Sequence, residues 1–63
     1  MSENLIKARF LIFCLAILQN QGRDNEEADE IRDELDFFWY SLLNKEEKLN
    51  LDKYSADLHR ILK

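Results

Sequence analysis

The length, composition and charge of this chain exclude several classes of protein. Its 63 residues allow one domain, and a chain this short buries only about 60% of the surface that it exposes when unfolded. One cysteine, Cys14, and one histidine, His59, permit no intrachain disulfide and argue against a metal cluster. The net charge of −4 disfavours nucleic acid as a partner, because phosphate binding needs a basic face. We therefore expect a single domain over residues 1–63, with oligomerisation as the remaining common source of stability.

The residue types favour helix almost everywhere. Hydrophobic residues make up 46% of the chain, proline, valine and threonine are absent, and Gly22 is the only glycine. The apolar run 10–18 is too short to span a bilayer, and Gln19-Asn20-Gln21 follows it in place of a signal-peptide cleavage site. We predict an all-α protein with no transmembrane segment, located in the cytoplasm.

Two boundary signals divide the chain into three helices. Gly22 is placed to end the first helix, which Ser2 would cap. Asp24 and Asn44 are each followed three residues later by a glutamate, which is the pattern of a capping box at the start of a helix. The predicted helices are Glu3–Gln21, Asp24–Leu43 and Lys45–Leu62, with a break near Asp36 as the alternative for the second.

The first helix is apolar around its whole circumference. Residues 10–18 are nine consecutive apolar residues, so two neighbouring helices can cover only about half of them. We expect a compact three-helix domain with this helix at its centre. If Leu11, Leu15 and Leu18 face the other helices, the opposite side of the helix is left for a second copy of the chain, a protein partner or lipid. The core is predicted to contain Leu11, Leu15, Leu18, Ile31, Leu35, Phe38, Trp39, Leu42, Leu58 and Ile61.

Four consecutive aromatic residues, 37–40, cannot all face one core. Phe37 and Tyr40 point toward the polar side of the second helix, where they would either pack against the third helix or serve as anchors for a partner. The candidate interface residues are Ile6, Phe10, Phe13, Ile17, Phe37 and Tyr40.

The titratable residues do not form a recognisable catalytic or metal-binding motif. Residues 24–36 hold eight acidic side chains and one basic one, but these acids face away from the apolar stripe and no Glu-x-x-His pair occurs. His59 lacks a nucleophile at a recognisable spacing, and Cys14 lies in the most apolar part of the chain, as a core residue would. We predict no catalytic residue, no metal ligand and no cofactor.

Two stretches of the sequence resemble known groups of proteins. The segment 28–42 has the pattern Ala-Asp-x-x-Arg-Asp-x-x-Asp-x-x-Trp-Tyr-x-Leu, and 55–58 reads Ser-Ala-Asp-Leu. In both respects the chain resembles short bacterial helical proteins, notably from planctomycetes, whose function is unassigned. Phe37 stands where proline is common in that group, which fits a bend at Asp36. Separately, Glu34-Leu35-Asp36 resembles the end of the Ser-Gln-Glu-Leu-Asp signature of the sporulation aspartyl-phosphate phosphatases, although Arg32-Asp33 replaces the Ser-Gln.

The sequence favours a non-enzymatic role over catalysis. We expect a small cytoplasmic interaction or structural module that forms a homodimer, or a higher even oligomer, through its first helix. The alternative, implied by the second resemblance, is a regulatory aspartyl-phosphate phosphatase or a helical hairpin that binds a response regulator. In that alternative, Asp36 would be the key residue.

Overall fold

Three α-helices and one π-helical turn form the part of the chain that the computed structural model describes, residues 2–23 and 25–62. Helix α1 spans Glu3–Asn20, α2 spans Glu26–Phe37 and α3 spans Lys45–Ile61. The π-helical turn occupies Phe38–Leu42, directly after α2. These described residues contain no strand, and the prediction of an all-α three-helix domain is confirmed.

The predicted caps of α1 and α3 are both present. The Ser2 hydroxyl oxygen accepts a hydrogen bond from the Leu5 amide at 3.1 Å. At α3, the Asn44 side chain accepts from the Glu47 amide at 2.8 Å, and the Glu47 carboxylate accepts from the Asn44 amide at 3.0 Å. This reciprocal pair satisfies two amides that the helix itself cannot satisfy. The structure therefore confirms Ser2 and the Asn44–Glu47 capping box as helix starts.

The N-cap of α2 lies one residue later in the sequence than predicted. Gly22 adopts the left-handed conformation (φ +71°) that was expected after α1. The cap of α2 is Asn25, whose side chain accepts from the Glu27 amide at 3.1 Å, and not Asp24, which lies outside the described residues. Asn25 has extended backbone angles, and its short amide side chain reaches the second amide of the helix as well as an aspartate would.

The second helix was predicted to continue to Leu43, with a break near Asp36 as the alternative. The α-helix instead ends at Phe37, and a π-helical turn follows it. The Leu43 amide donates to the Phe38 carbonyl at 2.9 Å, a bond that spans five residues instead of four. This wider turn shifts the side chains that follow it, so that Leu43 is buried (7% exposed) and Leu42 is exposed (39%). The prediction of Leu42 as a core residue was therefore wrong.

Helix α1 lies between α2 and α3 and contacts both, whereas α2 and α3 share little contact with each other. Arg9 of α1 lies over the Tyr54 ring of α3, 4.2 Å from its centroid. This cation–π contact joins the two helices. The buried apolar residues of the described chain are Leu5, Ala8, Ala16, Ala28, Leu43, Leu51 and Leu58.

The core is smaller than the sequence predicted. Of the predicted core residues, only Leu58 is buried. Ile61 is exposed (75%), whereas Leu62, four residues after Leu58, is half-buried. The other predicted core residues, apart from Leu42, are half-buried: Leu11, Leu15, Leu18, Ile31, Leu35, Phe38 and Trp39. Three of the fully buried positions are alanines, which allow the helices to approach closely but bury little area.

Candidate interaction surface

An apolar face runs along the side of α1 that α2 and α3 leave uncovered. We name it the α1 face and define it as Ile6, Phe10, Phe13 and Ile17. These residues follow one another at intervals of three or four, so they share one side of the helix. Ile6, Phe10 and Phe13 are 54%, 64% and 41% exposed, and Ile17 is half-buried. The opposite side of α1 carries the buried residues Leu5, Ala8 and Ala16.

The α1 face continues to a pair of aromatic rings where α2 ends and the π-helical turn begins. Phe38 and Phe37 stack edge to face, with their centroids 6.2 Å apart and their planes at 77°. Phe38 is half-buried, whereas Phe37 is 58% exposed. Between α1 and the end of α2 lies an open apolar groove of about 360 Å³, which we name the α1–α2 groove. It is lined by Ile6, Lys7, Phe10, Leu11, Glu34 and Phe38.

Charged side chains of opposite sign border the α1–α2 groove. Lys7 lies on the α1 side and Glu34 on the α2 side. Lys7 has an ion pair with Glu3 one turn earlier, at 3.6 Å, in which both side chains are largely exposed. Such surface pairs contribute little to stability, so the pairing leaves Lys7 available for a further partner. The sequence pattern does not predict that Lys7 and Glu34 lie together, because the two residues belong to different helices and their proximity depends on how these helices pack.

Tyr40, the sixth predicted interface residue, lies apart from the other five. It is 78% exposed and borders a second groove, of about 280 Å³, between the π-helical turn and α3. Lys48 reaches over the Trp39 ring at this groove, 5.7 Å from its centroid. The groove is lined by Ile12, Leu35, Asp36, Trp39, Tyr40, Leu51, Asp52 and Ser55.

Asp36, the key residue of the alternative phosphatase interpretation, is exposed in this second groove. Asp52 lies on the α3 side of the same groove, and Lys48 lies over the ring of Trp39, which also lines it.

The remaining candidate residues do not form a reactive cluster. His59 is exposed, and its Nδ1 lies 2.8 Å from the Ser55 carbonyl oxygen one turn earlier on α3. Cys14 is a free, half-buried thiol. No group of three or more histidine, cysteine or acidic side chains in residues 2–23 and 25–62 is placed to hold a metal ion.

The carboxylate of Glu47, in the capping box of α3, accepts two hydrogen bonds. The Asn44 amide donates to Glu47, and the Ser2 hydroxyl adds a second hydrogen bond to the other carboxylate oxygen. Both bonds favour the charged carboxylate, so they lower the pKa of Glu47 below its ordinary value. Both hydrogen bonds belong to the caps with which α1 and α3 begin.

Comparison with known proteins adds no family to this picture. Family models, curated proteins and solved structures give no significant match to the chain. Among the described helices, none is long and apolar enough to cross a membrane. The interpretation of function therefore depends on the surfaces of the molecule.

Proposed function

We propose that this chain is a small, non-enzymatic interaction module of the cytoplasm that associates with itself through the α1 face. The observation that carries the proposal is the continuous apolar surface formed by the α1 face, the α1–α2 groove and the ring of Phe37. The molecule exposes these large side chains while its fully buried core consists of leucines and alanines.

The size of this surface supports self-association. Aromatic side chains each offer about 150–250 Å² of area, so the exposed parts of Ile6, Phe10, Phe13 and Phe37 amount to roughly 400 Å². Patches of this size are frequently interaction sites, and this one is carried by a chain of only 63 residues. An interface with this apolar centre and a polar rim falls at the small end of specific interfaces.

The small core gives a second reason for association. A folded monomer of this mass exposes about 4,300 Å², whereas this chain exposes 4677 Å². Small domains without disulfides or metals often obtain additional burial by oligomerisation. A two-fold axis makes one apolar face complementary to itself, so a second copy of the same chain is the simplest partner.

A matched pair of substitutions tests the proposal. Phe10 on the α1 face is 64% exposed and Leu49 on α3 is 62% exposed, so glutamate at either position adds the same charge at similar exposure. We expect Phe10→Glu to be a folded monomer, because a buried charge disrupts an apolar interface. We expect Leu49→Glu to keep the dimeric mass of the wild type. The measurement is light scattering on chromatographed protein, with circular dichroism to establish that both variants are helical.

Two results would contradict the proposal. One is a dimeric mass for Phe10→Glu, which would place the interface elsewhere. The other is equal dissociation of both variants, which would mean that added negative charge, and not the α1 face, controls association. Phe10→Leu provides a further control, because it keeps an apolar side chain at the position and is expected to remain dimeric.

A further inference from the structure

The α1–α2 groove is lined by two side chains of opposite charge, and these charges favour one arrangement of a second copy on it. Its floor and walls are apolar, and it has one cation, Lys7, and one anion, Glu34, at its border. In a two-fold dimer, a residue that contacts a given position of the partner is contacted in turn by the same residue of the partner. If Lys7 met its own counterpart across the axis, two cations would be juxtaposed, and Glu34 would face the same difficulty.

Crossed pairing removes this repulsion. With Lys7 of each copy against Glu34 of the other, every charge at the border of the two grooves meets an opposite charge. Within residues 2–23 and 25–62, Glu34 has no ion pair, and Lys7 has only the long, exposed pair with Glu3. Both groups therefore retain the capacity for a partner across the interface.

We propose that the second copy of the chain seats on the α1–α2 groove, with Lys7 of each subunit paired to Glu34 of the other. The inference rests on the proposed self-association and adds its register and its specificity-determining residues. The apolar contacts supply affinity, and the crossed pairs exclude the arrangements in which like charges meet. The net charge of −4 on each copy makes these pairs more important, because two such chains otherwise repel.

Charge reversal tests this register directly. Lys7→Glu places two anions at each groove and Glu34→Lys places two cations there, so each variant is expected to dimerise at least about tenfold more weakly than the wild type. The double variant Lys7→Glu/Glu34→Lys restores opposite charges across the axis and is expected to regain the wild-type dissociation constant. An equimolar mixture of the two single variants is expected to form the heterodimer, since each supplies the charge that the other lacks.

Controls separate this inference from loss of folding and from failure of the proposed function. Glu3→Gln removes the ion pair of Lys7 within the chain and is expected to leave the dissociation constant unchanged. If the wild type is a dimer that Phe10→Glu dissociates, but the single charge reversals dimerise normally, the register is wrong while the α1 face remains the interface. If the double variant and the mixture both stay monomeric, the crossed pairs are equally refuted. A monomeric wild type would overturn the inference together with the proposed function.

Discussion

The Ser2 hydroxyl, which caps α1, donates a hydrogen bond to the carboxylate of Glu47, which completes the capping box of α3. The two residues are 45 positions apart in sequence, and this bond joins the first turns of two helices. Because α3 has little contact with α2, the bond supplements the packing of α1 on α3 at the end of the molecule where both helices begin. The caps of two helices are thus joined by a tertiary hydrogen bond.

Loss of the Ser2 hydroxyl should therefore affect both helices. We expect Ser2→Ala to lower the free energy of unfolding by about 1 kcal/mol, the typical effect of removing a helix cap. The same change removes one of the hydrogen bonds that favour the Glu47 carboxylate, so the pKa of Glu47 should rise toward its ordinary value. Urea denaturation and a carboxyl NMR titration measure the two effects. Ser41→Ala, at an exposed position of the π-helical turn, is the control, and an unchanged Glu47 titration would show that the Ser2–Glu47 bond is absent in solution.

Stability should also depend on the protonation of Glu47. Its pKa is lowered in the folded chain, mainly by the Asn44 amide and secondarily by Ser2, so the folded state favours the charged form. This contribution is present above the ordinary glutamate pKa of about 4.3 and is lost as the pH falls through the lowered value. Glu47→Gln keeps a cap acceptor that does not titrate. The stability difference between wild type and Glu47→Gln should shrink as the pH is lowered from 7 to below the glutamate range, and a pH-independent difference would be inconsistent with this coupling.

Gly22 is required for its backbone conformation and not for space. Its φ of +71° is costly for other residues, and a Cβ at this position would meet nothing within 4 Å. We expect Gly22→Ala to cost about 1 kcal/mol, with Gly22→Asn less harmful because asparagine tolerates the left-handed region. Thermal or urea denaturation of the two variants checks the order. Equal stability of Gly22→Ala and wild type would mean that the end of α1 does not need this conformation.

The π-helical turn can be tested through two adjacent leucines. Leu43 is 7% exposed and Leu42 is 39% exposed because the turn spans five residues. We expect Leu43→Ala to cost about 2–5 kcal/mol, the usual range for a buried leucine, which would unfold most of so small a domain. Leu42→Ala should cost much less in urea denaturation. A regular α-helix through this segment would reverse or equalise the two effects.

Most helix ends that depend on local chemistry were predictable from the sequence, although the cap of α2 is Asn25 where Asp24 was predicted. The parts of the fold that depend on packing were not predictable. Ser2, Gly22 and Asn44 act within one turn of the chain, so their residue types suffice to identify them. The π-helical turn has no residue signature, because a bond that spans five residues is selected by what the following side chains bury.

The buried core is a second feature that depends on packing and was not predictable from the sequence. A stripe of large apolar residues predicts which side of a helix is covered. Ala8, Ala16 and Ala28 are buried because small side chains permit close approach between helices. A stripe of large residues does not predict these positions. The sequence of a helix that is apolar around its whole circumference also does not show which of its sides faces the core. The α1–α2 groove and its two border charges required the relative placement of two helices, and only the fold provides it.

Sedimentation equilibrium of the wild-type chain tests the central claim most directly. The self-association proposed for the α1 face predicts an average mass that rises from near the 7.6 kDa of one chain toward twice that value as concentration increases through about the micromolar range. The transition should follow a single monomer–dimer equilibrium. A folded chain that keeps the mass of one copy at every concentration up to roughly a hundred times that range would contradict the account.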